Sequence, residues 1–200
     1  MSSSILTYCK ISSGNVMLPK GKVQTLSEDI NALLKESYAF LEFSYPKFHK
    51  MDNLAKMAMV GVEYLLHDCH PKCEDDEMAM VFMNSNSSID SDWNHQKLIN
   101  QNKNVSPSVF VYTLPNILMG ELAIKHQWYG ENLFILAPQF SLEKWLDKAE
   151  QLFKLNKAEY CIGGWVEVFE NEYEAKLILA QKGDAQNAIP LAQVMNDLKG

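Results

Sequence analysis

Residue types that could do chemistry cluster most densely between positions 67 and 77. His67, Cys69, His70 and Cys73 form H-x-C-H-x-x-C, a set of metal-ligand side chains, and the acidic run 74–77 follows directly. Pro71 interrupts the set, it trails a helix end, and no second ligand pair lies at zinc-finger spacing. The expectation is therefore a polar loop and no metal site. Gly163 and Gly164 lack the third glycine and the following helix of a dinucleotide fingerprint, so no cofactor is expected there. They fit a close backbone approach at a strand crossing better. Gly-x-Ser-x-Gly is absent, which leaves a serine hydrolase without its nucleophile elbow. Cys9, Cys69, Cys73 and Cys161 are irregularly spaced, and no cysteine lies between positions 74 and 160.

The elements that would position these residues alternate. Residues 5–11 read as a short strand and residues 12–22, with Gly14, Pro19 and Gly21, as a loop. Residues 25–41 form an imperfect amphipathic helix. Residues 52–68 form a clearer one, with Asp52 as its N-cap and Met57 and Met59 on its core side. The apolar run 78–83 fits a buried strand, and residues 133–136 fit a second. Helices are expected over 93–102, 115–127 and 141–155, the last capped by Ser141. Residues 160–169 and 175–180 then form a hairpin at an antiparallel sheet edge, and residues 185–200 a final short helix. Strands joined by helical crossovers define an α/β fold, a mostly parallel sheet with helices on both faces and a terminal antiparallel hairpin. Residues 1–200 read as a single domain.

Composition narrows the partners. The 200 residues carry a net charge of −7, and all 18 basic residues are lysines. Without arginine's bidentate grip on phosphate and guanine, and with an acidic balance, nucleic-acid binding is not expected. No apolar run approaches the ~20 residues that span a bilayer, and the start of the chain has no signal-peptide pattern. The cysteines are expected to be reduced thiols in a cytoplasmic protein.

Four stretches, in order, resemble one family. The tripeptide Lys50-Met51-Asp52 opens a Lys- and Ala-rich helix in YPKFHKMDNLAKMAMVGVEYLL (45–66). MVFMNSNSSIDSDW follows, then SPSVFVYTLPNILMGELAIKHQWYGEN (106–132) and AEYCIGGWVEVF. Together they resemble the N-terminal half of β-ketoacyl synthases, members of the thiolase-like superfamily. The resemblance implies half of a thiolase-like fold. It places the family's Thr-Ala-Cys nucleophile motif on Ala137, Pro138 and Gln139. Glutamine thus stands where a condensing enzyme holds its thiolate, and a neutral amide cannot carry an acyl thioester. The family's catalytic histidines come from its second half. His49, His67, His70, His95 and His126 all precede Gln139 and match no histidine motif.

Glutamine at this place resembles the chain-length factors of type II polyketide systems, and the short length resembles accessory subunits of aryl polyene and dialkylresorcinol pathways. The implied role is a catalytically degenerate accessory subunit in polyketide or fatty-acid-like biosynthesis. Its partner would be a full-length ketosynthase, with acyl carrier protein reached indirectly. Two rivals stand beside it: a malonyl-thioester decarboxylase-like loading subunit using Gln139, and a homodimeric module that binds an acyl or carrier-protein group. A missing second half should leave an apolar helix and sheet face exposed, and the family's geometry puts Phe134, Phe140 and Trp145 close to a partner.

Overall fold

The computed structural model describes residues 3–101 and 107–199. Ser106 of the family-like stretch lies outside them. The chain opens with β1 (Ser3–Ser12), β2 (Asn15–Leu18) and β3 (Gly21–Thr25). Next come α1 (Ile30–Phe40), a 3-10 turn (Pro46–Lys50) and α2 (Asn53–Asp68). β4 (Met78–Asn84), α3 (Ile89–Asn100), α4 (Pro107–Val111), α5 (Ile117–His126) and β5 (Asn132–Leu136) follow. The chain ends through α6 (Leu142–Lys154), β6 (Tyr160–Phe169), β7 (Glu172–Lys182) and α7 (Leu191–Asp197).

The seven strands form one mixed sheet, ordered β3-β2-β1-β7-β6-β4-β5. β4 pairs in parallel with both β5 and β6, while the other neighbours are antiparallel. By direction, only β2 and β7 run against the remaining strands. The expected α/β architecture is therefore present, with helices on both faces. One cluster packs α1, α2 and α5 on one face, and a second packs α6 and α7 on the other.

Two local expectations are corrected. The stretch 12–22 is not a loop: Ser13 and Gly14, with φ of 46° and 70°, make a tight turn into β2. Two consecutive positive-φ residues match the twist of a two-residue hairpin, so Gly14 joins strands here. The terminal hairpin is present but is not an edge. β7 lies between β1 and β6, and its run 175–180 is buried without interruption. A strand covered on both faces reads as a continuous apolar run, which Leu177 to Ala180 supply.

Three glycines set how closely the layers approach. A Cβ on Gly61 of α2 would fall 2.4 Å from Leu177 Cδ1. Gly163 and Gly164 hold φ of +139° and +138°. There a Cβ would meet Val81 O and Lys176 O, each at 2.1 Å. The close approach expected of this pair is what the sheet uses.

Candidate functional site

Gln139 sits in the short loop between β5 and α6 and is exposed. The loop is fixed at both ends. Ala137 N–H donates to Asn84 O at 2.9 Å, and Ser141 caps α6 by accepting from Lys144 N–H at 3.3 Å. Gln139 therefore stands just before a helix N-terminus, the position from which amide dipoles face outward. Beside it lies a cleft of about 540 Å³. Its walls are the loop and first turn of α6, the strand residues Trp165, Glu174 and Lys176, and the end of α7.

Lys176 is the cleft residue that sequence reading passed over. It is 7% exposed inside an apolar strand. Its Nζ pairs with Glu174 Oε1 at 2.9 Å and lies 6.0 Å from the centre of the Phe140 ring. A lysine within an otherwise apolar buried run was the available signal. The chemistry on offer is limited. The Gln139 amide and the ion-paired Lys176 amine line the cleft together with Ser141, Glu143, Glu174 and Lys199, and none of the five histidines does.

The thiols lie elsewhere. All four cysteines are free. Burial pushes the Cys9 and Cys161 thiols up. Cys69 and Cys73 are raised by burial and by the carboxylates beside them, which suits neither nucleophile nor thiolate ligand. Among the described residues, no group of three or more His, Cys, Asp or Glu side chains is placed to hold a metal ion. His126 lies on the opposite face of the sheet from Gln139. It stacks on Trp128, with centroids 4.3 Å apart, and places Nε2 2.8 Å from Glu63 Oε1. Met57 and Met59 of α2 are buried in the core, as expected of this Met-rich helix, and Met51 just before it is buried too.

The partner-facing residues separate. Phe134 and Phe140 are half-buried. Trp145 is fully buried and donates Nε1–H to Val81 O at 2.8 Å, so it belongs to this chain's own core and cannot touch a partner. The exposed apolar face expected from a missing half is not on α6 either. Its outward side carries Glu143, Lys144, Asp147, Gln151 and Lys154, and α7 covers the sheet beside it. Exposed apolar side chains appear instead on β5, where Leu133 and Leu136 are 40% and 61% exposed. They also appear on α3 and α4, with Trp93 and Phe110.

The family-like stretches meet at two carboxylates, one buried and one half-buried. Glu121 of α5, 3% exposed, accepts from Tyr45 at 2.8 Å and Tyr112 at 2.9 Å, with Lys47 Nζ at 2.7 Å. Asp52 caps α2 by accepting from Ala55 N–H at 2.9 Å and takes the Ser91 hydroxyl at 2.5 Å. Burial dominates at Asp52 and pushes its pKa from 3.8 up to about 6, with Asp90 adding to the rise. A raised folded-state pKa means that the folded protein holds this proton more tightly than the unfolded chain. Its contribution is full below pH 3.8 and is lost as pH rises to about 6. Asp52→Asn keeps the cap acceptor and removes the half-buried charge. We expect it to raise stability at pH 7 by roughly 1–2 kcal/mol and to flatten the fall in Tm between pH 4 and 6, read by thermal melts across pH.

No family model matches the chain, and no curated protein matches it by sequence. Solved structures do. The ishigamide ketosynthase/chain length factor superposes with a TM-score of 0.69 at 16% identity, covering 96% of this chain and 65% of that one. A structure of the ketosynthase ApeO in complex with its chain length factor ApeC, from Xenorhabdus doucetiae, gives 0.62 at 15% identity over 92% and 81%. A β-ketoacyl synthase from Burkholderia phymatum gives 0.58 at 11% identity over 90% and 59%. The fold is thus the one that these ketosynthase and chain length factor structures share. The chain spans less than two thirds of the length of the ishigamide and Burkholderia chains. Among the described residues no helix is long and apolar enough to cross a membrane.

Proposed function

We propose that this chain is a chain-length-factor-like accessory subunit that works beside a complete ketosynthase in polyketide-type chain assembly. The observation that carries the reading is Gln139. It occupies the turn into α6 of a ketosynthase-like fold, with no thiol and no histidine in the adjoining cleft. Condensation needs a thiolate at that turn, so acyl transfer has to take place on another subunit. Acyl carrier protein would then be engaged through the complex.

The partner's seat in this reading is β5. It ends the sheet beyond β4, and an edge strand presents unpaired N–H and C=O groups ready for another strand. Leu133 and Leu136 are its exposed apolar residues, while Phe134 and Phe140 are half-buried on opposite faces of the sheet. Such an edge either associates or aggregates. Light scattering of the chain co-expressed with a full-length ketosynthase is the direct test. A defined heteromer is expected, and Leu136→Lys should weaken it at least tenfold by placing a charge in the contact. A chain that stays separate from every ketosynthase offered would refute the reading, and a stable homodimer would favour the binding-module rival.

A further inference from the structure

The last sixteen described residues form a strap across the α6 side of the sheet. It leaves β7 at Gly183, whose φ is +78° and whose surroundings are open, so the turn has the freedom of a hinge. Ser4 pins the turn: its hydroxyl donates to Gly183 O at 2.8 Å and accepts from Ala185 N–H at 2.9 Å. Ile189 N–H then donates to Ile5 O at 2.8 Å. α7 comes next, with seven residues, too few to be stable as an isolated helix. Its shape is imposed by where it docks.

The docking is part apolar and part polar. Val194 and Leu198, 0% and 3% exposed, join a cluster with Ile5, Tyr8, Trp165 and Ile178. A polar clasp sits around Tyr8. Its hydroxyl donates to Asp197 and accepts from Gln193 Nε2 at 3.4 Å. The Lys10 amine donates to Lys199 O at 2.9 Å. The far end of this same helix supplies Met195, Leu198 and Lys199 to the wall of the Gln139 cleft.

We propose that the segment 184–199 is a hinged gate whose seating closes the Gln139 cleft and the apolar sheet face beneath it. Opening pivots at Gly183, unwinds α7 and bares Trp165, Ile5 and Tyr8 without disturbing β6 and β7. The proposal rests on the hinge, the short helix and the clasp, and stands whether or not the chain serves a ketosynthase.

Amide hydrogen exchange of the full chain tests it. Amides of 191–198 should exchange well before those of β6 and β7, because opening is local and costs less than global unfolding. Tyr8→Phe keeps the buried ring and removes the clasp hydroxyl. It should speed exchange of 191–198 by about five- to tenfold, the worth of one such hydrogen bond, and β6 and β7 by no more than that factor, since global unfolding loses the same bond. Gln193→Ala should act in the same direction. Both variants should bind more 1-anilinonaphthalene-8-sulfonate, used as an amphiphilic reporter of bared apolar surface. Tyr64→Phe loses a comparable bond, to Gln24 Oε1 at 2.8 Å on the opposite face, and should leave 191–198 unaffected. Exchange of 191–198 together with β6 and β7 in the wild type, no acceleration of 191–198 by Tyr8→Phe, or equal acceleration of 191–198 by Tyr64→Phe would overturn the gate.

Discussion

Gly163→Ala is expected to cost about 4 kcal/mol or more and to lower Tm by roughly 10 °C or more. The cause is backbone against backbone. A Cβ at this position would lie 2.1 Å from Val81 O and 2.7 Å from Val81 C. Its neighbour cannot yield as a flexible side chain would, because Val81 belongs to β4, which pairs on both sides. The φ of +139° is also one that L residues rarely adopt. Gly164→Ala meets the same obstacle from the other flank, at Lys176 O. Gly120→Ala is the control: it lies in α5, and nothing stands within 4 Å of its Cβ. There alanine should be neutral or stabilise by about 0.5–1 kcal/mol, since glycine weakens a helix interior. Thermal melts of the three variants decide the matter. A Gly163→Ala protein as stable as wild type would mean that β4 and β6 are not paired in this register.

Trp145→Ala is expected to cost about 3–5 kcal/mol, the range for emptying a large aromatic site in a core. Trp145 is the largest fully buried side chain and packs with Phe153, Val81 and Trp165 under α6. Its indole N–H donates to the carbonyl that the missing Gly163 side chain leaves room for. Val81 O thus joins α6 to the sheet, and the glycine keeps that oxygen accessible. Trp145→Phe should lose less, about 1–2 kcal/mol, through the hydrogen bond and the smaller ring. Because α6 begins just after Gln139, loosening it should also blur the cleft. The Trp145→Ala and Gly163→Ala effects should be non-additive, as expected of residues that share one partner. Denaturant melts of the two single variants and the double variant measure that coupling. Strict additivity would separate the two contacts.

Much of this architecture was legible from pattern alone. The helix α2 announced itself through Asp52 as cap and through apolar spacing, and the structure has Asp52 accepting from Ala55 N–H as that pattern requires. Ser141 did the same for α6. The run 78–83 became a strand buried along its whole length. Local chemistry was enough in each case, because a cap or an apolar period acts within a turn or two of chain. The turns in 12–22 were harder. Gly14 and Pro19 punctuate both loops and hairpins, and only pairing with β1 distinguishes them.

At the site, the sequence by itself determined the chemistry: an amide at position 139, no thiol between 74 and 160, and no arginine in the chain. Residue identity needs no fold to be read. Tertiary structure alone decided the arrangement. It moved β7 from the expected edge to the centre, because β1, from the start of the chain, returns to pair along it. It turned Trp145 inward, brought Lys176 beside Phe140, and laid α7 over the face that a missing half was expected to leave bare. Each of these depends on contacts between residues far apart in the chain, and periodicity records which side of an element is apolar but not what will cover it.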